Sequence, residues 1–169
     1  MLVLAQDLAR SSSPSLEYAI KAAYLYKFAP FVVWPASAFA SSDGPLTICV
    51  SGRDPFGKAL DQVTAGQRVA GRAIVVRRIA DIAADSGCQI AYIGGSPTQS
   101  IPRALEAVRG QPVLTVTDDD PDRPNHGIIT LEVVQNRVRF KIDEREAEQC
   151  RLAISSKLLN LALRPPKAN

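Results

Sequence analysis

Apolar residues first recur at helical spacing between Leu16 and Ala29, at Leu16, Ile20, Ala23, Tyr24 and Phe28. Ser13 before Pro14 offers a cap and a first-turn proline, so the helix is predicted to start there. Pro30 removes a backbone donor and should end it. Phe31-Val-Val-Trp34 follows, closed by Pro35, and 36–45 reads as a loop. From Leu46 onward, short apolar runs alternate with helical or turn segments. Strands are predicted at Leu46–Ser51, Ile74–Arg78, Cys88–Ile93 and Pro112–Thr117. Helical segments are predicted at about 54–64 and 98–109, with a helical turn at 79–84. Alternation of this kind specifies βαβ units and parallel strands. The pattern changes after residue 127. Ile128–Val134 and Arg137–Ile142 are joined by Gln135-Asn136 alone, and a two-residue connection forces an antiparallel hairpin. A final helix is predicted over about 143–163, with Ala147, Cys150, Ile154, Leu158 and Leu161 on one stripe. Pro165-Pro166 stops it. The predicted fold is α/β with three layers: a largely parallel, Rossmann-like sheet flanked by helices, with a C-terminal antiparallel hairpin.

The length of 169 residues suits one domain, placed at 14–164, with tails at 1–13 and 165–169. No apolar run reaches the roughly 18–20 residues that span a bilayer. The opening Met1–Gln6 is apolar and short, with no basic residue before it. It reads either as a plain tail or as the remnant of an export signal. The net charge of +3 comes from mixed charges, so it does not single out nucleic acid as a partner.

Candidate chemistry is sparse. The loop Asp118-Asp119-Asp120-Pro-Asp122 follows a predicted strand and could attract a hard cation, or it is a solvated acidic loop. The aspartates of a receiver domain follow its first strand, whereas here Ser51-Gly-Arg-Asp54 stands in that place. Gly94-Gly95-Ser96 could offer amides to an anion but matches neither common phosphate-loop pattern, and a plain strand-to-helix turn explains it equally. His126 is the single histidine, in a Pro/Asn/Gly loop, and no nucleophile elbow accompanies it. Arg137, Arg139 and Lys141 alternate with Val138, Phe140 and Ile142. They form a basic strand face that either grips phosphate or is simply solvated. The three cysteines lack CxxC spacing, so a structural zinc is not expected. Cys49 and Cys88 fall on strands that are commonly neighbours in a doubly wound sheet, so they are either bonded or two buried thiols. Cys150 reads as a core residue. With no catalytic set and no expected cofactor, the chain reads as a domain that works by binding.

Two terminal segments carry a resemblance. Lys21-Ala-Ala-Tyr-Leu-Tyr-Lys-Phe28, continuing to Phe31 and Trp34-Pro35, resembles the opening signature of YfiR-like proteins. Asn136-Arg-Val-Arg-Phe140-Lys-Ile142 and Leu152-Ala-Ile-Ser-Ser-Lys-Leu-Leu159 resemble the closing one. Ile48-Cys-Val50, Asp54-Pro-Phe56, Cys88-Gln-Ile90 and Val113-Leu-Thr-Val116 fall between in the expected order. The resemblance implies a periplasmic regulator that inhibits a membrane-bound diguanylate cyclase by binding its periplasmic domain, and so controls cyclic di-GMP signalling and biofilm formation. It implies an outer-membrane lipoprotein as a further partner, a homodimer and an oxidised Cys49–Cys88 pair, while the mixed charges and the lack of aromatics beside Arg137, Arg139 and Lys141 give no expectation of nucleic acid. Two positions depart from the pattern. Asp143 replaces the asparagine expected after the Arg-Phe strand, and Cys150 has no mate for a second bridge. Tyr26, Phe31 and Trp34 are the expected partner-contact residues, since exposed aromatics dominate interface hot spots. The alternative is a receptor for a small nucleotide- or amino-acid-like ligand held near Arg139, Arg151 and Lys157. A metal-dependent enzyme at Asp118–Asp122 is a third reading.

Overall fold

The computed structural model describes residues 4–123 and 125–164, and side-chain surroundings from Leu16 onward. Met1–Val3, Pro124 and the tail expected at 165–169 lie outside the described residues. Helix α1 spans Leu4–Lys27, so it begins upstream of the start predicted at Ser13–Pro14. A 3₁₀ turn at Ala29–Phe31 takes Pro30 in its first turn, where the missing donor costs nothing. Strand β1 (Val32–Val33) follows.

Next come β2 (Leu46–Gly52), α2 (Lys58–Thr64), β3 (Arg68–Val69), β4 (Arg72–Ile79), β5 (Ile90–Gly95), α3 (Ile101–Ala107) and β6 (Leu114–Asp118). The chain then forms β7 (Ile129–Val134), β8 (Arg137–Ile142), α4 (Glu144–Gln149), β9 (Ala153–Ile154) and α5 (Ser156–Leu161). Seven strands form one mixed sheet in the order β3-β4-β2-β5-β6-β7-β8, while β1 and β9 pair separately and antiparallel. Five neighbours, β4-β2-β5-β6-β7, run parallel. Their order is that of a flavodoxin-like doubly wound sheet, not the Rossmann order. The antiparallel β3 and β8 close its two ends.

Alternation along the strands sorts the core. Ile48, Val50, Ile90, Leu114, Val116, Ile129 and Leu131 face one side, packed with Leu25 of α1, Phe28 just after it and Leu60 of α2. Cys49, Ala91 and Ile93 face the other, against Ala104 of α3 and the neighbouring Val108. Helices therefore cover both faces, as expected for three layers, but the crossovers at 80–89 and 119–128 contain no helix. The helical turn expected at 79–84 is absent, because β4 runs on to Ile79.

The hairpin forms as its spacing dictates. Gln135 and Asn136 both take positive φ, 51° and 63°, as a type I′ turn requires. The predicted final helix is corrected to two short ones. Arg151 turns left-handed at φ 59° just after α4. Ala153–Ile154 then becomes extended and pairs with β1, and Ser155 caps α5 by accepting from the Lys157 amide. Ala147, Cys150 and Leu158 still reach the core, while Leu161 stands exposed.

Candidate functional site

The carboxyl ends of β2 and β5 flank the point where the strand order reverses, the usual ligand crevice of such a sheet. Here backbone fills it. The Arg53 amide donates to the Gly95 carbonyl at 2.9 Å. A Cβ on Gly52 would sit 2.2 Å from the Gly95 oxygen, and one on Gly94 2.3 Å from the Arg53 oxygen. The glycines after β5 thus serve strand-to-strand contact. The Ser96 amide donates to Gln99 O, and the Ser96 hydroxyl accepts from the Thr98 and Gln99 amides. The plain strand-to-helix turn fits Gly94-Gly95-Ser96, since the Ser96 amide and hydroxyl are both used within the turn.

The acidic loop does not converge either. Asp118, at the end of β6, points back toward α1. It accepts from Lys21 Nζ at 2.9 Å, from the Tyr92 hydroxyl at 2.8 Å and from the Tyr18 hydroxyl at 3.2 Å. Asp119 is exposed, and Asp120 accepts from the Asp122 amide and faces Arg123. Among the described residues no three His, Cys, Asp or Glu side chains are placed to hold a metal ion.

Lys21 is the centre of the cluster that sequence reading missed. Its side chain is 5% exposed and is also paired with Glu17 at 2.7 Å. Burial works against its charge, but the hydrogen bonds and charges of Glu17 and Asp118 outweigh it and hold its pKa above the ordinary lysine range. Burial and then the Asp118 charge push the Tyr92 and Tyr18 phenols up. The signal was present in the sequence: Tyr18, Lys21, Leu25 and Phe28 share one helical stripe, and a lysine inside a buried stripe needs partners.

A second unforeseen centre is Gln89, 2% exposed beside Cys88. Its carbonyl oxygen accepts from Trp34 Nε1 at 3.0 Å, its side-chain oxygen accepts from the Thr47 amide, and its side-chain nitrogen donates to Ala38 O. The expectation of Trp34 as an exposed contact is therefore corrected. Trp34 is 8% exposed, anchored by its indole donor and packed edge-on against Phe39. Tyr26 and Phe31 are half-buried and pack against the same core. The surface-facing residue of this segment is Val33, 68% exposed.

Cys49 and Cys88 are joined by a disulfide that links β2 to the start of β5 across 39 residues. Cys150 is free and buried. It lines a cavity of 110 Å³ together with His126 and Glu146. Burial, and then the Glu146 charge, push its thiol pKa up, so it stays protonated and weakly nucleophilic at neutral pH. Arg139 on β8, Arg151 in the turn after α4 and Lys157 on α5 are all exposed, and no ion pair ties them to one site. None of the three lines the cavity of 650 Å³ beside Lys141, Thr130 and Asp143. A different depression of 460 Å³ lies between β1 and β3, floored by Trp34, Phe39 and Leu46.

Five parallel strands in this order, helices on both faces and the Cys49–Cys88 bridge define a doubly wound, disulfide-bridged α/β domain. Against known families, the YfiR/HmsC-like family model matches residues 18–163, and the chain belongs to that family. No curated protein matches it. Among the described residues, no helix is long and apolar enough to cross a membrane.

Proposed function

We propose that this chain is a periplasmic regulator that inhibits a membrane-bound diguanylate cyclase by binding its periplasmic domain, and thereby controls cyclic di-GMP signalling. Membership of the YfiR/HmsC-like family across residues 18–163 carries the reading. The Cys49–Cys88 disulfide supports it, because such bonds persist in oxidising compartments. A homodimer is the working state, and an outer-membrane lipoprotein is the second partner. The reaction itself belongs to the cyclase, and this chain alters only the population of its active state.

The test is direct. Purified chain is added to membranes carrying a cyclase encoded beside it, and cyclic di-GMP formation is followed. Dose-dependent inhibition, with binding of the isolated periplasmic domain by calorimetry, is expected. Full cyclase activity at saturating protein would overturn the proposal. A small-ligand receptor remains the second reading, favoured by the 650 Å³ cavity with Lys141 and Arg145 on its wall. A thermal shift with a nucleotide or amino acid would support it, since a ligand bound only by the native state raises the melting temperature.

A further inference from the structure

The depression between β1 and β3 differs in chemistry from the other cavities. The 650 Å³ cavity sets Asp119, Asp120, Asp143 and Glu144 against Lys141 and Arg145, so its charges are mixed. The groove of 460 Å³ has an apolar floor of Trp34, Phe39 and Leu46, walls from Val33 and Val69, and two arginines, Arg68 and Arg72, on its rim. That volume lies within the roughly 300–1,000 Å³ of binding clefts.

The arginines carry unmatched charge. Arg72 stacks over Phe39 at 3.6 Å and gives one nitrogen to the Ser41 and Gly44 carbonyls. Arg68 gives one nitrogen to the Gly71 carbonyl. Among the described residues no carboxylate lies within 4.0 Å of either, although Arg78 on the same strand β4 is paired with both Asp54 and Asp61. Held by backbone and ring, these guanidiniums are pre-positioned to receive an anion.

The backbone points the same way. β3 ends the large sheet and β1 ends the small one, so each has a ladder partner on one side only. A groove lined by residues of two terminal strands suits strand addition. Val33 stays exposed between buried Val32 and buried Trp34, which places an apolar lip where an incoming strand would cover it.

We propose that this groove docks an extended apolar segment of a partner protein that carries an aspartate or glutamate, with the apolar side chains on Trp34 and Phe39 and the carboxylate on Arg68 and Arg72. The inference deepens the reading that the chain works by contact, and does not depend on the partner being a cyclase.

The probe is a synthetic peptide in which valine alternates with glutamate, compared with the same peptide carrying lysine. Both are titrated into the full chain while backbone amide resonances are followed. The acidic peptide should shift the Val33, Val69 and Ala70 amides and bind at least about tenfold more tightly than the basic one, the worth of one exposed-to-half-buried charge pair. Arg68→Glu should abolish or invert the preference. Val33→Asp should weaken acidic-peptide binding by about tenfold or more through charge repulsion and loss of the apolar lip. Both positions are exposed, so melting should be unchanged. Equal binding of the two peptides, binding of neither, shifts confined to another face, or self-association of the chain through this groove would each overturn the inference. The cyclase assay separates it from the proposed function. Undiminished inhibition by Val33→Asp would overturn the groove as the partner site and leave the function standing. Groove binding by a wild-type chain that inhibits no cyclase would do the reverse.

Discussion

Asp118→Asn tests whether the Lys21 cluster fastens α1 to the sheet. The substitution keeps an oxygen for Tyr92 and Tyr18 but removes the charge 2.9 Å from Lys21 Nζ. With an effective dielectric of about 20, two unit charges at that distance attract by about 6 kcal/mol. Desolvation of the 5%-exposed lysine offsets part of this, and Glu17 at 2.7 Å still compensates the ammonium. The net loss should be about 3 kcal/mol, at the low end for breaking a buried pair. Urea unfolding followed by circular dichroism reads it as a lower midpoint at unchanged slope, or as a melting point lower by roughly 6–12 °C. The Asp118→Asn, Lys21→Met double variant should lose less, relative to wild type, than the two single losses summed, by about 1 kcal/mol or more. Alkali adds a second readout. Lys21, Tyr18 and Tyr92 all have folded pKa values raised above their ordinary ones. Their contribution is complete below the unfolded values, near pH 10, and is lost as pH rises through the folded ones. Wild type should therefore lose stability above about pH 10 more steeply than Asp118→Asn. A loss under about 1 kcal/mol, or additive singles, would refute the coupling.

Three further outcomes follow from the geometry. Trp34→Ala should destabilise by about 3–5 kcal/mol, while Trp34→Phe loses mainly the hydrogen bond to Gln89 O, about 1 kcal/mol; an unshifted melt for the alanine variant would show that the indole is not core. Replacing Cys49 and Cys88 together by alanine should cost about 4 kcal/mol by loop entropy, and reductant should then change the urea midpoint of wild type only. Gly52→Ala should cost about 3 kcal/mol or more, because its φ is +79° and its Cβ would meet the Gly95 oxygen. Gly66→Ala, at φ +71° in open space, should cost about 1 kcal/mol, and equal losses in thermal melts would contradict the close approach at Gly52.

Periodicity made the sheet legible and the helices only in part. β2, β5 and β6 are buried on both faces, so apolar residues, threonine and other small side chains fill both sides of each. The hairpin was readable because a two-residue turn allows one geometry. The final helix was misread for a tertiary reason. Ala147, Cys150, Ile154 and Leu158 keep helical spacing, but Ala153–Ile154 gains a ladder with β1 that the pattern alone cannot foresee. The strand order 2-1-3-4-5 was likewise open, since alternation of strands and helices specifies parallel pairing without specifying neighbours.

The site was less legible because its residues look structural in isolation. Tyr26, Phe31 and Trp34 stand out as aromatics, yet a tryptophan whose indole donates to a buried acceptor is pulled inward, and the outward position falls to Val33. The same alternation that buries Val32 and Trp34 leaves Val33 at the lip of the groove, opposite Arg68. A hydrophobic segment was thus correctly located, while its accessible member was not. Conversely, the charged residues that the sequence set apart, Arg139, Arg151 and Lys157, come from three elements with no shared concavity. Arg68 and Arg72 escaped notice because they flank a turn that reads only as a glycine-bearing connection. What turns that connection into a candidate surface is the short β3 strand, which folds Arg68 back over the Trp34 floor. If the chain works through that groove, specificity lies in two unmatched guanidiniums over an apolar floor, and a single exposed charge reversal at Arg68 should change which partner binds without changing how the domain folds.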